Sequence, residues 1–137
     1  MERAEALVRL GAARVGRFAS LGREGRPHVV PVTFAVLDEF VVHMIDDKPK
    51  TTGRLQRLRN VEANPLASLL VDHYDEDWSK LWWIRVDGDV TIETGGELWE
   101  RARSALATKY GRYRESPPQG PAICLAMKKL TYWESGG

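Results

Sequence analysis

The chain has 137 residues, with 20 Lys+Arg against 19 Asp+Glu, so its formal net charge is 20 − 19 = +1. A hydrophobic fraction of 43% with 28% charged residues excludes a disordered chain, and the near-zero charge argues against a polycation built for nucleic acid. Cys124 is the single cysteine and alone forms no disulfide or cysteine-based metal site, no apolar run nears the ~20 residues of a membrane span, and the first ten residues lack a signal peptide's apolar core, so one cytoplasmic domain over residues 1–137 is expected.

Residues 2–10 read as a short helix from the spacing of Leu7 and Leu10, ended by Gly11. Three strands follow at residues 14–21, 27–34 and 40–45, joined by the turns at 22–25 and Asp38-Glu39. Turns this short predict an antiparallel meander. Residues 46–50 form a polar loop, and Thr51 or Thr52 caps a helix that runs to Glu62 and stops at Asn64-Pro65. Strands at 66–74 and 81–93 flank an acidic loop at 75–80, the second of them bent near Gly88. Residues 97–110 are a helix stopped by Gly111, residues 112–121 a loop with three prolines, and residues 123–133 a closing strand. About six strands, mostly consecutive, predict a mainly β (α+β) antiparallel barrel with peripheral helices.

The sharpest chemical feature is the stretch 48–59, which holds Lys48, Lys50, Arg54, Arg57 and Arg59 and no acid. Lys50, Arg54 and Arg57, spaced four and three, share one face of the predicted helix. Leu55 and Leu58 form the adjacent apolar stripe that docks on the barrel. Thr51 and Thr52 add hydroxyls at the helix start, where free N–H groups and the helix dipole favour an anion. A phosphate there would meet amides, hydroxyls and guanidinium forks together. A solvated basic face with ordinary threonine caps is the competing reading.

The loop Asp72-His73-Tyr74-Asp75-Glu76-Asp77-Trp78 lacks the glycine and distal glutamate of a calcium loop and reads as solvated, so no metal is expected. Trp78, Trp82 and Trp83 lie within six positions. Neighbours on a strand point to opposite faces, so either Trp82 or Trp83 faces outward, onto a partner subunit or a planar heterocycle. His28 and His43 read as structural histidines and Cys124 as an inert core thiol. No P-loop, GxGxxG, HExxH or Ser/His/Asp ordering is present in the sequence, which leaves simple hydrolysis and Rossmann-type cofactor binding unsupported.

The run Gly25-Arg-Pro-His-Val-Val-Pro-Val-Thr-Phe34, the basic stretch ending Arg59-Asn60, the Asn64-Pro65 stop and Ile84-Arg-Val-Asp-Gly88 together resemble the pyridoxamine 5′-phosphate oxidase-like split β-barrel flavoproteins, over about residues 15–133. Within that superfamily, Lys48-Pro-Lys-Thr-Thr52 and the stretch 72–83 look like a subgroup of coenzyme F420-dependent enzymes. The resemblance implies a split β-barrel and a homodimer with cofactor sites at the subunit interface. It implies that Val30, Pro31, Val32 and Thr33 support the deazaflavin ring and that Arg57 meets a phosphate. Lys50, Thr51 and Thr52 match the loop that meets the cofactor's phosphate or acidic tail, with Lys48 and Arg54 adding charge. Trp78 and Trp83 are the aromatic candidates at the cofactor.

The implied activity is hydride transfer from reduced F420 to a small electron-poor molecule. FMN is the alternative cofactor, and a non-catalytic flavin or deazaflavin carrier is a third reading. No catalytic acid or base is assigned; His73, Tyr74 and Lys80 are candidate proton donors by virtue of their loop. True pyridoxamine phosphate oxidases carry a glutamine near the position of Trp83 and a C-terminal arginine/histidine motif. This chain has neither, so oxidation of vitamin B6 is not expected.

Overall fold

The computed structural model describes residues 1–46 and 55–136. In chain order it contains α1 (Arg3–Ala12), β1 (Gly16–Leu21), β2 (Pro27–Val32), β3 (Ala35–Leu37), β4 (Phe40–Met44), α2 (Gln56–Ala63), β5 (Leu66–His73), β6 (Trp82–Glu93), α3 (Glu97–Lys109), α4 (Gly111–Glu115), β7 (Ala122–Ala126) and β8 (Lys129–Glu134). Single 3-10 turns at Arg23–Gly25 and Trp78–Lys80 complete the description. Among the described residues, no helix is long and apolar enough to cross a membrane.

The strands form one antiparallel curled sheet in the order β2-β1-β5-β6-β7-β4-β3, with β8 also on β6. This is the expected split barrel with peripheral helices. β6 is the pivot. Its first half pairs with β5 on one side, from Leu66↔Asp89 to His73↔Trp82, and with β8 on the other, from Trp82↔Glu134 to Asp87↔Lys129. Its second half pairs with β7, from Val90↔Leu125 to Glu93↔Ala122. Alternation along the strands sends Phe18, Leu69, Val71, Ile84 and Val86 into the core, where each is at most 1% exposed.

Gly88 lies where β6 exchanges β8 for β7. The connection between those strands folds tightly there: the Lys128 amide donates to Asp87 O at 3.1 Å and to Ala126 O at 2.9 Å. A Cβ at residue 88 would overlap the Ala126 carbonyl oxygen. The expected bend near Gly88 is therefore the site of closest backbone approach, and only glycine admits it.

Several expectations are corrected. The described residues hold eight strands, two more than the six or so read from the sequence. The closing strand at 123–133 is two, β7 and β8, because the chain leaves the sheet at Met127 and Lys128 to cross Gly88. Nor is there a three-stranded meander: β1 pairs β2, but β4 pairs β3 and β7 at the far end of the sheet. The break falls at Thr33 and Phe34. Phe34 is fully buried, its amide donates to the Tyr110 hydroxyl at 3.2 Å, and its carbonyl accepts from Lys109 Nζ at 2.8 Å. Lys109 also donates to Ala13 O at 2.6 Å, so the end of α3 ties the entry to β1 and the β2–β3 corner together. α1 runs through Gly11 to Ala12, and the loop at 112–121 contains most of α4.

Replacing Gly88 with alanine is expected to cost at least ~3 kcal/mol, because the obstacle is backbone and cannot rotate away. Denaturant unfolding of Gly88→Ala beside Gly95→Ala, whose added Cβ meets nothing within 4 Å, measures that difference.

Candidate functional site

α2 is held against the barrel by two kinds of contact. Leu58 and Val61, each 3% exposed, enter the core. Beside them the buried Asn60 donates from Nδ2 to Ser20 Oγ at 3.0 Å and accepts at Oδ1 from Gln56 Nε2 at 2.6 Å. These contacts fix the rotation of the helix and turn the half-buried Arg57 toward β4.

There Arg57 Nε donates to His43 Nε2 at 3.2 Å. His43 is 2% exposed and meets the Phe18 ring edge-on, with centroids 4.7 Å apart. Because Nε2 accepts, the neutral ring carries its hydrogen on Nδ1. Burial, reinforced by the charge of Arg57, pushes the His43 pKa down to about 3. Burial also lowers the Arg57 pKa, opposed by Tyr113 and Asp46. Tyr113, on α4, shares a 2.7 Å hydrogen bond with Thr33 Oγ1, and its phenol is pushed up mainly by burial. Among the described residues, no carboxylate lies within ion-pair distance of Arg57 and its two Nη nitrogens have no hydrogen-bond partner. The result is a half-buried guanidinium anchored through its inner nitrogen to a neutral ring, with two hydroxyls close by. Such a group is suited to an anion.

The structure places the sequence candidates in three groups. Thr33 and Arg57 belong to one neighbourhood, linked through Tyr113. On β2, Val32 is in the core, Val30 packs against it, and Pro31 is exposed on the opposite face. Trp78 and Trp83 lie elsewhere. Trp78 is 67% exposed in the turn before β6, and Trp83 stands on the outer face of the sheet, opposite Trp133 and beneath Arg85. Trp82 packs inward against the core, stacked on His73, so the two adjacent tryptophans do take opposite faces. Trp83 is at the start of β6, whereas His43 is in register with Ile123 and through it with Ile92, near the end of β6. Within one chain Trp83 and Arg57 therefore do not meet. His73, Tyr74 and Lys80 lie at the Trp83 end.

Lys48, Lys50, Thr51, Thr52 and Arg54 lie outside the described residues. The described helix α2 begins at Gln56 with Leu55 in the N-cap position. Leu58 docks on the barrel as expected, but Leu55 is 42% exposed. Cys124 is a buried β7 residue whose thiol burial pushes up to about 12, as an inert core thiol requires.

His43 and Tyr113 were not singled out from the sequence as site residues. A lone histidine in an apolar strand carries no local signal, and residue 113 fell in a segment read as loop. Only the packing of α2 and α4 against the β4 end of the sheet brings them beside Arg57.

An antiparallel split barrel with a half-buried guanidinium beside a neutral histidine at one end of its central strand defines a recognisable class of protein. The sequence pattern of the family described as Pyridoxamine 5′-phosphate oxidase matches residues 2–134, and the chain belongs to that family. Among solved structures, a conserved hypothetical protein of Mycobacterium tuberculosis superposes with a TM-score of 0.81 at 19% identity, over 99% of this chain and 86% of that one. A heme-binding protein of Mycobacterium smegmatis gives 0.79 at 20% identity over 97% of this chain, which spans 54% of that protein. An FAD-binding protein of Mesorhizobium loti gives 0.73 at 20% identity, over 96% and 94% of the two chains. Identities at this level show a shared fold. Among curated proteins none matches the chain.

His43 makes stability depend on pH. Its unfolded value of 6.5 exceeds its folded value of about 3, so the unfolded chain takes up a proton first as pH falls. The contribution is complete above pH 6.5 and is lost as pH drops toward 3, at up to ~1.4 kcal/mol per pH unit. Between pH 7 and pH 5, wild-type unfolding free energy should therefore fall by roughly 2 kcal/mol more than that of His43→Gln. Parallel slopes for the two proteins in urea titrations would show that His43 does not titrate this way.

Proposed function

We propose that this chain is an F420-dependent oxidoreductase that passes a hydride from the reduced deazaflavin to a small electron-poor acceptor. The observation that carries the reading is Arg57: a half-buried cation bonded to a neutral imidazole, with its Nη nitrogens left open among the described residues. A cofactor phosphate fits those donors, because among the described residues no carboxylate forms an ion pair with them, Asp46 acting on Arg57 only through its charge. Arg57 would hold the phosphate, with the Thr33 and Tyr113 hydroxyls beside it. Lys48, Lys50, Thr51, Thr52 and Arg54 enter the proposal on their sequence, as further partners for the phosphate or an acidic tail. When bound, the reduced deazaflavin supplies the hydride; the protein supplies position, charge and exclusion of water.

The competing cofactor is a flavin, and the specific support for it is the FAD-binding protein that shares the fold. The same arginine would serve either phosphate. Side-by-side fluorescence titration of the purified protein with F420 and with FMN separates the readings. Tight binding of F420 with weak binding of FMN is expected, and the reverse would move the protein to the flavin-dependent class. Arg57→Ala should lower affinity for the preferred cofactor by about tenfold or more, the scale of a charge-assisted contact. Unchanged affinity would remove Arg57 from the site.

The proposal includes a homodimer. Val29, Leu66, Leu70 and Trp133 are exposed apolar residues, and the strand register sets Val29, Leu70, Trp83 and Trp133 on the face opposite the core. A second copy seated there would cover this face and bring aromatic residues of one end of β6 toward the partner. Leu70→Glu tests this cleanly, because Leu70 is 36% exposed with Arg17 and Arg85 opposite it on the flanking strands, so the isolated chain tolerates the acid. Sedimentation velocity should show a wild-type dimer and a Leu70→Glu monomer with an unchanged melting profile. A wild-type monomer would sink the interface.

A further inference from the structure

We infer that His43 is the positioning residue for Arg57: by accepting at Nε2 it sets the direction of the guanidinium, and through it the affinity of the site for an anionic ligand. The inference rests on the anion-binding reading of Arg57 and adds what holds that arginine in place.

The argument starts from the donor set of arginine. A guanidinium presents Nε–H on one edge and a fork of Nη donors beyond it, all in one plane. Fixing Nε–H therefore fixes where the fork points. Here the fixing group is rigid. His43 is on β4, its neighbour Ile123 pairs it across the ladder, and its ring is wedged against Phe18. With 2% exposure it has no room to turn.

The chemistry of the acceptor matters as much as its place. A carboxylate at residue 43 would pair with Arg57 and neutralise the charge the ligand needs. An aliphatic side chain would leave the Nε–H without its partner. A neutral imidazole satisfies the inner donor and leaves the full positive charge outward. The other groups facing this pair are Tyr113 on α4 and Asp46 just after β4, and both act on Arg57. Among the described residues, neither makes a hydrogen bond to the guanidinium, so its direction is left to His43. Protonation of the ring would remove the acceptor and set two cations 3.2 Å apart.

The test is a double-mutant cycle read by F420 titration, with FMN titrated in parallel, on wild type, His43→Leu, His43→Gln, Arg57→Ala and the His43→Leu/Arg57→Ala double variant. His43→Leu should lose about tenfold in affinity, and His43→Gln, whose Oε1 still accepts, should stay within about threefold of wild type. In the Arg57→Ala background His43→Leu should change nothing further, since its effect acts through the arginine. A folded His43→Leu that binds like wild type while Arg57→Ala binds weakly overturns the inference and leaves the site intact. Additive losses in the double variant overturn it too, because His43 then acts independently. No effect of Arg57→Ala, or no binding of either cofactor by wild type, removes the site reading and this inference together. If His43→Leu does not fold, the imidazole 15N shifts of the wild-type protein decide. A proton on Nδ1 supports the acceptor role, and a proton on Nε2 excludes it.

Discussion

Everything in this fold depends on one strand serving three others. β6 is 12 residues long and is bordered by β5, β8 and β7. A strand has two hydrogen-bonding edges, so three partners fit only if one edge is shared along its length. The exchange happens at Gly88, where the absent side chain lets the Ala126 carbonyl approach the backbone. Closing the barrel there has two consequences. It throws β7 and β4 to one end of β6, where α2 and α4 deliver Arg57 and Tyr113. It also leaves the opposite end, with Trp83 and Trp133, on an uncovered outer face.

The recess around Arg57 follows a consistent electrostatic logic. Partial burial makes a guanidinium expensive unless its donors are satisfied. An acid would satisfy them by cancelling the charge. Pairing with a neutral histidine satisfies one donor and keeps the charge available, at the expense of a buried imidazole that resists protonation. Elsewhere arginines are paired with opposite charges: Arg9 with Glu134, Arg17 with Asp72, Arg85 with Asp87 and Arg101 with Asp38. The different treatment of Arg57 sets it apart from these structural arginines.

The outer face shows a second departure from a self-contained barrel. Val29 on β2, Leu66 and Leu70 on β5, Trp83 on β6 and Trp133 on β8 stand on the side away from the core, among charged neighbours such as Arg17, Arg85 and Asp72. Period-two patterning normally puts polar residues there. Within one chain the half-buried Arg57 at one end of β6 and the outward Trp83 at the other do not meet.

Much of this was legible in the residues. Strand and helix positions follow from local periodicity and turn chemistry, so β1, β2, β4, β5, β6 and α3 were located within a few residues. The class of fold followed from their order, and the opposite facing of Trp82 and Trp83 from strand geometry alone. The division of residues 123–133 into β7 and β8 was not legible, because the break is dictated by Gly88, far away in sequence. The start of α2 at Gln56 was missed because threonine at a cap is only a local preference. Composition and local pattern thus determined the kind of barrel and marked Arg57 as a cation worth following. Its partner was decided by tertiary structure alone: a hydrogen bond between residues on a strand and a helix exists only once both have packed on the same core.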